Sequence, residues 1–194
     1  MNKNIKNAKL PSRLGHDKAA LLKILKREAF FKEKITLSSG KESDFYIDAR
    51  RVTLSPQGAY LCGKIILELI ADDSLEAVGG PTLGADPLVG AIASLSHQLK
   101  RPMKTFIVRK ASKPYGKQQQ VEGPLLKLGS RVAVIDDVAT SGKSLLHSID
   151  VLEQMGMKVV RALCIVDRQE GAREALAQKN CPLTSIFQLS DILS

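Results

Sequence analysis

Val132-Ala-Val-Ile-Asp-Asp-Val-Ala-Thr-Ser-Gly-Lys-Ser144 is the stretch on which the reading of the chain turns. It opens on four apolar residues, three of them β-branched, as a strand buried on both faces would. The strand is predicted over 131–135, with Asp136 and Asp137 delivered at its carboxyl end. A turn of small and hydroxyl residues, Ala139, Thr140, Ser141 and Gly142, leads into a helix. Physically this is a phosphate cradle. The first N–H groups of a helix have no intrahelical partner, and Thr and Ser hydroxyls add donors. Gly142 lets the backbone approach a ligand closely. The two carboxylates cannot bind that phosphate. They need hydroxyl donors or a cation, so a polyhydroxyl sugar accompanied by Mg2+ suits them. The closing Gly142-Lys143-Ser144 resembles the end of a nucleoside-triphosphate loop. That loop needs a glycine five positions before Gly142, where Asp137 stands and would repel a triphosphate. No GxGxxG occurs either.

Outward from this segment, short apolar strands alternate with helices. Strands are predicted over 75–78, 105–108, 159–166 and 183–189, and helices over 18–31, 87–99, 141–155 and 170–177. Ser55-Pro56 reads as an N-cap followed by proline at the first helical position, opening a helix through Leu61, Ile65 and Leu69. Residues 36–37 and 45–47 read as two short strands about a turn at Ser39-Gly40. Residues 110–123 are a long polar loop, with almost nothing to bury. The pattern predicts an α/β fold, a parallel sheet flanked by helices on both faces. Ligands of such sheets bind beyond the carboxyl ends of the strands. The loops after Val78, Val108, Ile135 and Val166 are therefore the ones to watch.

The length of 194 residues suits one domain spanning 1–194. Hydrophobic residues at 44% and charged residues at 25% describe a globular chain, not a disordered one. Three dispersed cysteines, Cys62, Cys164 and Cys181, exclude a disulfide scaffold and a cysteine-rich zinc module. No apolar run approaches the ~20 residues that cross a bilayer. Residues 1–16 read as a solvated basic tail, and the location expected is the cytoplasm. A net charge of +9 calls for an anionic partner. With aromatics at 4% and no Trp, a stacking platform for nucleic acid is poorly supplied, so a small polyanion is favoured. His16, His97 and His147 match no metal or triad spacing.

The order of apolar run, two acids, small residues, Thr, Ser, Gly, any residue and Ser resembles the phosphoribosyl-pyrophosphate (PRPP) motif of the type I phosphoribosyltransferases. Further segments resemble the orotate phosphoribosyltransferases, in that family's order over about 18–190. Residues 36–50, TLSSGKESDFYIDAR, look like its N-terminal signature and 80–87, GPTLGADP, like its pyrophosphate-side loop. Residues 108–116, VRKASKPYG, look like its mobile loop and 167–171, DRQEG, like its base-site turn. The resemblance implies that Asp136 and Asp137 face the ribose hydroxyls and that Ala139, Thr140, Ser141, Gly142, Lys143 and Ser144 hold the 5′-phosphate. Arg109, Lys110 and Lys113 would meet the pyrophosphate, and Phe45, Tyr46, Thr140 and Arg168 the orotate. Lys113, Arg109 and Asp137 would be catalytic. Mg2+ would be held mainly by PRPP and not by direct protein ligation. A homodimer with shared sites is implied, as is a small hood built from about 17–50 and the C-terminal end.

The residues are compatible with that chemistry in their own right. Arg168 offers a fork for the carboxylate or a carbonyl edge of a pyrimidine; its bland alternative is a surface ion pair with Asp167 or Glu170. Phe45 or Tyr46 offers a flat wall, and strand alternation lets only one face the ligand. The bond from the anomeric carbon to pyrophosphate breaks with oxocarbenium character, so cations aimed at the leaving group lower the barrier. Three positions depart from many relatives: Tyr115 stands for His, and Ser38 and the neighbourhood of Gly84 lack a Lys. Two rivals remain at this stage. One is a phosphoribosyltransferase for another base. The other is a non-catalytic regulator of the same fold that binds nucleic acid.

Overall fold

Helix α1 (Leu14–Glu28) begins the part of the chain that can be followed; the computed structural model describes residues 13–36, 42–111 and 120–194. Lys113, Tyr115, Ser38 and the Ser39-Gly40 turn lie outside the described residues. Leu21, Ile24 and Leu25 form the buried stripe of α1, and Asp17 in its first turn meets Lys64 Nζ at 2.6 Å. Four short strands follow: β1 (Phe30–Phe31), β2 (Ile35–Thr36), β3 (Glu42–Ser43) and β4 (Tyr46–Ile47). Their pairing differs from the expected single hairpin. β2 pairs with β3, while β4 returns to β1, with Phe31 opposite Tyr46. Aromatic packing accounts for this: the Phe30 and Phe45 rings lie 5.8 Å apart, and Arg51 caps the Phe31 ring at 4.8 Å. The Asp48 N–H also donates to the Ala29 carbonyl at the end of α1.

The chain then passes through α2 (Arg50–Thr53) and α3 (Pro56–Leu69). The cap forms as read: the Gly58 N–H donates to Ser55 Oγ at 3.1 Å. The main domain continues as β5 (Ala77–Pro81), α4 (Asp86–Gln98), β6 (Lys104–Val108), β7 (Val121–Glu122) and β8 (Arg131–Ala139). It ends with α5 (Lys143–Gln154), β9 (Lys158–Asp167), α6 (Ala172–Gln178), β10 (Leu183–Gln188) and α7 (Leu189–Leu193). Six strands form one sheet in the order β10-β9-β8-β5-β6-β7. Five are parallel, as expected, and β7 runs antiparallel at the edge. The end of the polar loop is thus a strand: Val121 pairs with Val108 and packs on the core.

β8 shows why its run is uniformly apolar. Ala133 and Ile135 face the cluster built from α1, α3 and α4, whereas Val132 and Val134 face α5 and α6. Both faces are covered, so there is no polar alternation. β8 also runs further than its apolar residues suggest. Val138 pairs with Val166 and Ala139 with Asp167, so the hydrogen-bonded ladder carries through the acid pair. α5 starts two residues later than read, because Gly142 at φ +77° is in the left-handed region and cannot belong to the helix. The strand predicted over 183–189 ends at Gln188, and Leu189 opens a last helix, α7. Its start is fixed by the Gln188 N–H donating to Asp191 Oδ2 at 2.8 Å, and it rests beside α1.

Gly79 and Gly80 lie buried in β5, between β6 and β8. A Cβ at Gly80 would strike the Ile135 carbonyl, which is backbone and cannot yield. Gly80→Ala is expected to cost about 3 kcal/mol, the upper end of overpacking. Urea denaturation checks this, and an unchanged midpoint would contradict the close strand approach.

Candidate active site

The carboxyl ends of β5, β6, β8 and β9 open into one cavity of about 1040 Å3, covered on one side by β4 and α2. All four loops singled out by the sheet argument supply lining residues. The end of β8 and the turn into α5 supply the whole run 136–145; after β5 come Thr82, Leu83 and Gly84; after β6, Lys110; after β9, Arg168.

The acid pair sits at the centre. The Asp137 N–H donates to Asp136 Oδ1 at 2.9 Å, and the Val138 N–H to Asp137 Oδ1 at 2.8 Å. Asp136 is only 8% exposed. Burial, and then the neighbouring Asp137, push its carboxyl well above the usual carboxylate range. Burial also raises Asp137, against the favourable charge of Arg50. The loop after β5 closes over both: a Cβ on Gly84 would collide with Asp136 Oδ1. Thr82 Oγ1 holds that loop to α4 by donating to Asp86 Oδ2 at 2.8 Å.

Beside the acids, Thr140, Ser141 and Gly142 turn into α5. No side chain caps α5, and its first turn holds no acid. Its leading N–H groups are therefore not consumed by the chain's own side chains, and the helix dipole favours an anion there. Gly142 is constrained twice, by its positive φ and by Ala172, whose Cα would lie 3.2 Å from a Cβ. Lys143 and Ser144 are exposed at the rim.

The opposite wall comes from the small N-terminal strands. Of the two aromatics, Tyr46 lines the cavity, while Phe45 stacks on Phe30 and underlies the Arg168 guanidinium at 5.0 Å. Arg168 is not a surface residue: its side chain is 4% exposed, and Nε pairs with Glu170 at 2.9 Å. The neighbouring Asp167 is taken by Arg173 and by the Gln169 N–H. The Arg168 N–H donates to the Ala139 carbonyl, which ties the turn after β9 to the end of β8. Arg109 stands outside the cavity lining, 3.6 Å from Glu122 on β7. Lys113 lies outside the described residues.

Residue-by-residue reading did not single out Asp48, Arg50, Thr82, Leu83 or Gly84 as site residues. Asp48 precedes and Arg50 opens the four-residue α2, which is too short to show a helical period. Gly84 looks like any loop glycine until its contact with Asp136 is seen.

Among the described residues, no three His, Cys, Asp or Glu side chains gather to hold a metal. The described cavity lining holds carboxylate and hydroxyl oxygens but no sulfur or imidazole. Such hard donors fit Mg2+ shared with a substrate's own oxygens. No described helix is long and apolar enough to cross a membrane.

Because both acids are raised by burial, the ligand-free fold gains most from them when they are protonated. That contribution is complete below the ordinary value of 3.8 and is lost as pH rises through the raised folded-state value. Asp136→Asn should raise the ligand-free Tm at pH 7 by about 2–4 °C, the equivalent of roughly 1 kcal/mol. The gain should shrink toward pH 4. A difference that does not vary with pH would contradict the burial of these charges.

Comparison with known proteins agrees with the geometry. The family model for the phosphoribosyl transferase domain matches residues 52–187. The orotate phosphoribosyltransferase of Aquifex aeolicus is 45% identical over 157 residues, covering 81% of this chain and 85% of that protein. The orotate phosphoribosyltransferase of Mycobacterium tuberculosis superposes with a TM-score of 0.80 in its Fe(III) dicitrate complex, at 39% identity, covering 91% of this chain and 98% of that one. In its complex with PRPP the TM-score is 0.77, at 36% identity, covering 92% and 99%.

Proposed function

The chain belongs to the orotate phosphoribosyltransferase family, and from that premise we propose that it transfers the phosphoribosyl group of PRPP to orotate. The products are orotidine 5′-monophosphate and pyrophosphate, a step of pyrimidine nucleotide synthesis. The observation that carries this reading is the meeting, in one cavity, of the buried acid pair, the uncapped start of α5 and the Tyr46–Arg168 wall.

Each substrate group has a partner of matching chemistry. The 5′-phosphate takes the N–H groups and hydroxyls of Ala139 through Ser144. The ribose 2′- and 3′-hydroxyls donate to Asp136 and Asp137, which are acceptors only when ionised. Those bonds replace the water that burial removed. Orotate lies against Tyr46 with its polar edge toward Arg168 and Thr140, and Phe45 supports Arg168 from behind. The pyrophosphate extends toward Thr82, Gly84 and Lys110. As its bond to the anomeric carbon lengthens, positive charge develops on the ribose beside the carboxylates, and negative charge on the leaving oxygens beside the cations. Orotate N1 then bonds to that carbon, and its N–H proton passes to the departing pyrophosphate.

Mg2+ bound to PRPP would neutralise diphosphate oxygens; Asp136 and Asp137 are the carboxylates its hydration shell would meet. Arg109 and Lys113 belong to the same segment of sequence as Lys110 and would serve the leaving group with it. A homodimer sharing this segment between subunits, in the cytoplasm, completes the reading.

An ultraviolet assay with PRPP and Mg2+ across orotate, uracil and purines tests it. Turnover with orotate alone is expected, and turnover confined to another base would overturn the assignment. Asp137→Asn should lower kcat/KM for PRPP roughly 10–100-fold, the loss of a charged hydrogen bond, without lowering Tm. Lys113→Ala should lower kcat by about 100-fold or more while moving the orotate KM far less. An unchanged kcat would remove Lys113 from the mechanism.

A further inference from the structure

Asp48 and Arg50 lie on the cavity wall, directly after Tyr46 and Ile47. Arg50 Nε donates to Asp48 Oδ1 at 2.9 Å, and its Nη2 approaches the Tyr46 hydroxyl at 3.4 Å. One edge of the guanidinium is thereby fixed. The other nitrogen, Nη1, has no described protein partner. Arg51 next to it is committed elsewhere, over the Phe31 ring. The frame is rigid: the Asp48 N–H is tied to Ala29, and the Arg51 N–H to the Asp48 carbonyl. Arg50 and Asp137 line the same cavity, and each favours the other's charged form.

A guanidinium held this way is pre-oriented, and its outer end presents paired donors that match an oxyanion. Its counter-charge is already supplied by Asp48, so the pair stays solvated while no substrate is bound. The other cavity arginine, Arg168, is buried and engaged with Glu170 and Phe45. Lys110 and Lys143 are exposed and carry no fork.

We propose that Arg50, oriented by Asp48 and Tyr46, is a further substrate-binding residue that grips an oxyanion at the junction of the base and ribose subsites. This rests on the transferase reading above. Two groups of the same chemistry reach that junction, the carboxylate of orotate and the α-phosphate of the PRPP diphosphate.

Initial rates of the full-length protein, varying each substrate in turn, distinguish them. Arg50→Gln is expected to raise the KM of one substrate about tenfold or more, as expected for a charged hydrogen bond, and the other far less. A rise for orotate assigns the carboxylate, and a rise for PRPP the diphosphate. Arg50→Lys keeps the charge but not the fork, and should recover only part of the loss. Asp48→Asn, which loosens the hold on Arg50, should give a smaller shift in the same KM. A Tm for Arg50→Gln near that of the wild type separates binding from folding. Both KM values unchanged in folded Arg50→Gln would overturn the proposal, as would equal rises in both that Lys restores fully. Absence of orotate turnover in the wild type would instead overturn the function itself, so the two failures are distinguishable.

Discussion

Two adjacent carboxylates at the end of a central strand, Asp136 buried and Asp137 half-buried, set the terms for everything around them. Among the described residues neither Asp136 nor Asp137 has a dedicated ion pair; their hydrogen bonds come from backbone N–H groups within the acid segment itself. Burial disfavours their charge, and their mutual repulsion adds to it. Hydroxyl donors and a cation are the chemistry that such a pair accepts. The ladder from Val138 and Ala139 to β9 holds the acids in place, and Gly84 keeps the neighbouring loop tight against them.

The phosphate cradle and the acid pair are complementary because they are adjacent and opposite. The start of α5 attracts an anion, and the end of β8 repels one. A ligand with phosphate at one end and hydroxyls in its middle can satisfy both, and a uniformly anionic triphosphate cannot. The Arg168 N–H, bonded to the Ala139 carbonyl, brings the Tyr46–Arg168 wall into register with the other two. On the proposed reading, one hydrogen-bonded strand pair, β8 with β9, thus positions the groups for a phosphorylated sugar and a base.

The sheet was legible in the sequence because its strands are apolar on both sides and short. The turn into α5 was legible because small, hydroxyl and glycine residues occur in order after two acids. What escaped was local and non-periodic. The pairing of β4 with β1 depends on Phe30 meeting Phe45, a contact between aromatics fifteen positions apart. The extension of β8 past the acids depends on what β9 offers alongside, not on the residues of β8 itself. α7 is five residues long, too short for any helical period to show. Arg50 was hidden in another way: its sequence neighbour Arg51 is chemically identical, and only the fold shows which of the two turns to the cavity. Tyr46 and Phe45 form a similar pair. Alternation predicted that only one would face a ligand, but packing decided which.

The most direct test of this account is a crystal structure of the protein soaked with PRPP and Mg2+. Density for the ribose hydroxyls at Asp136 and Asp137, with the 5′-phosphate over Thr140 through Ser144, is the predicted result. PRPP bound elsewhere in the cavity, with the carboxylates left untouched, would contradict it.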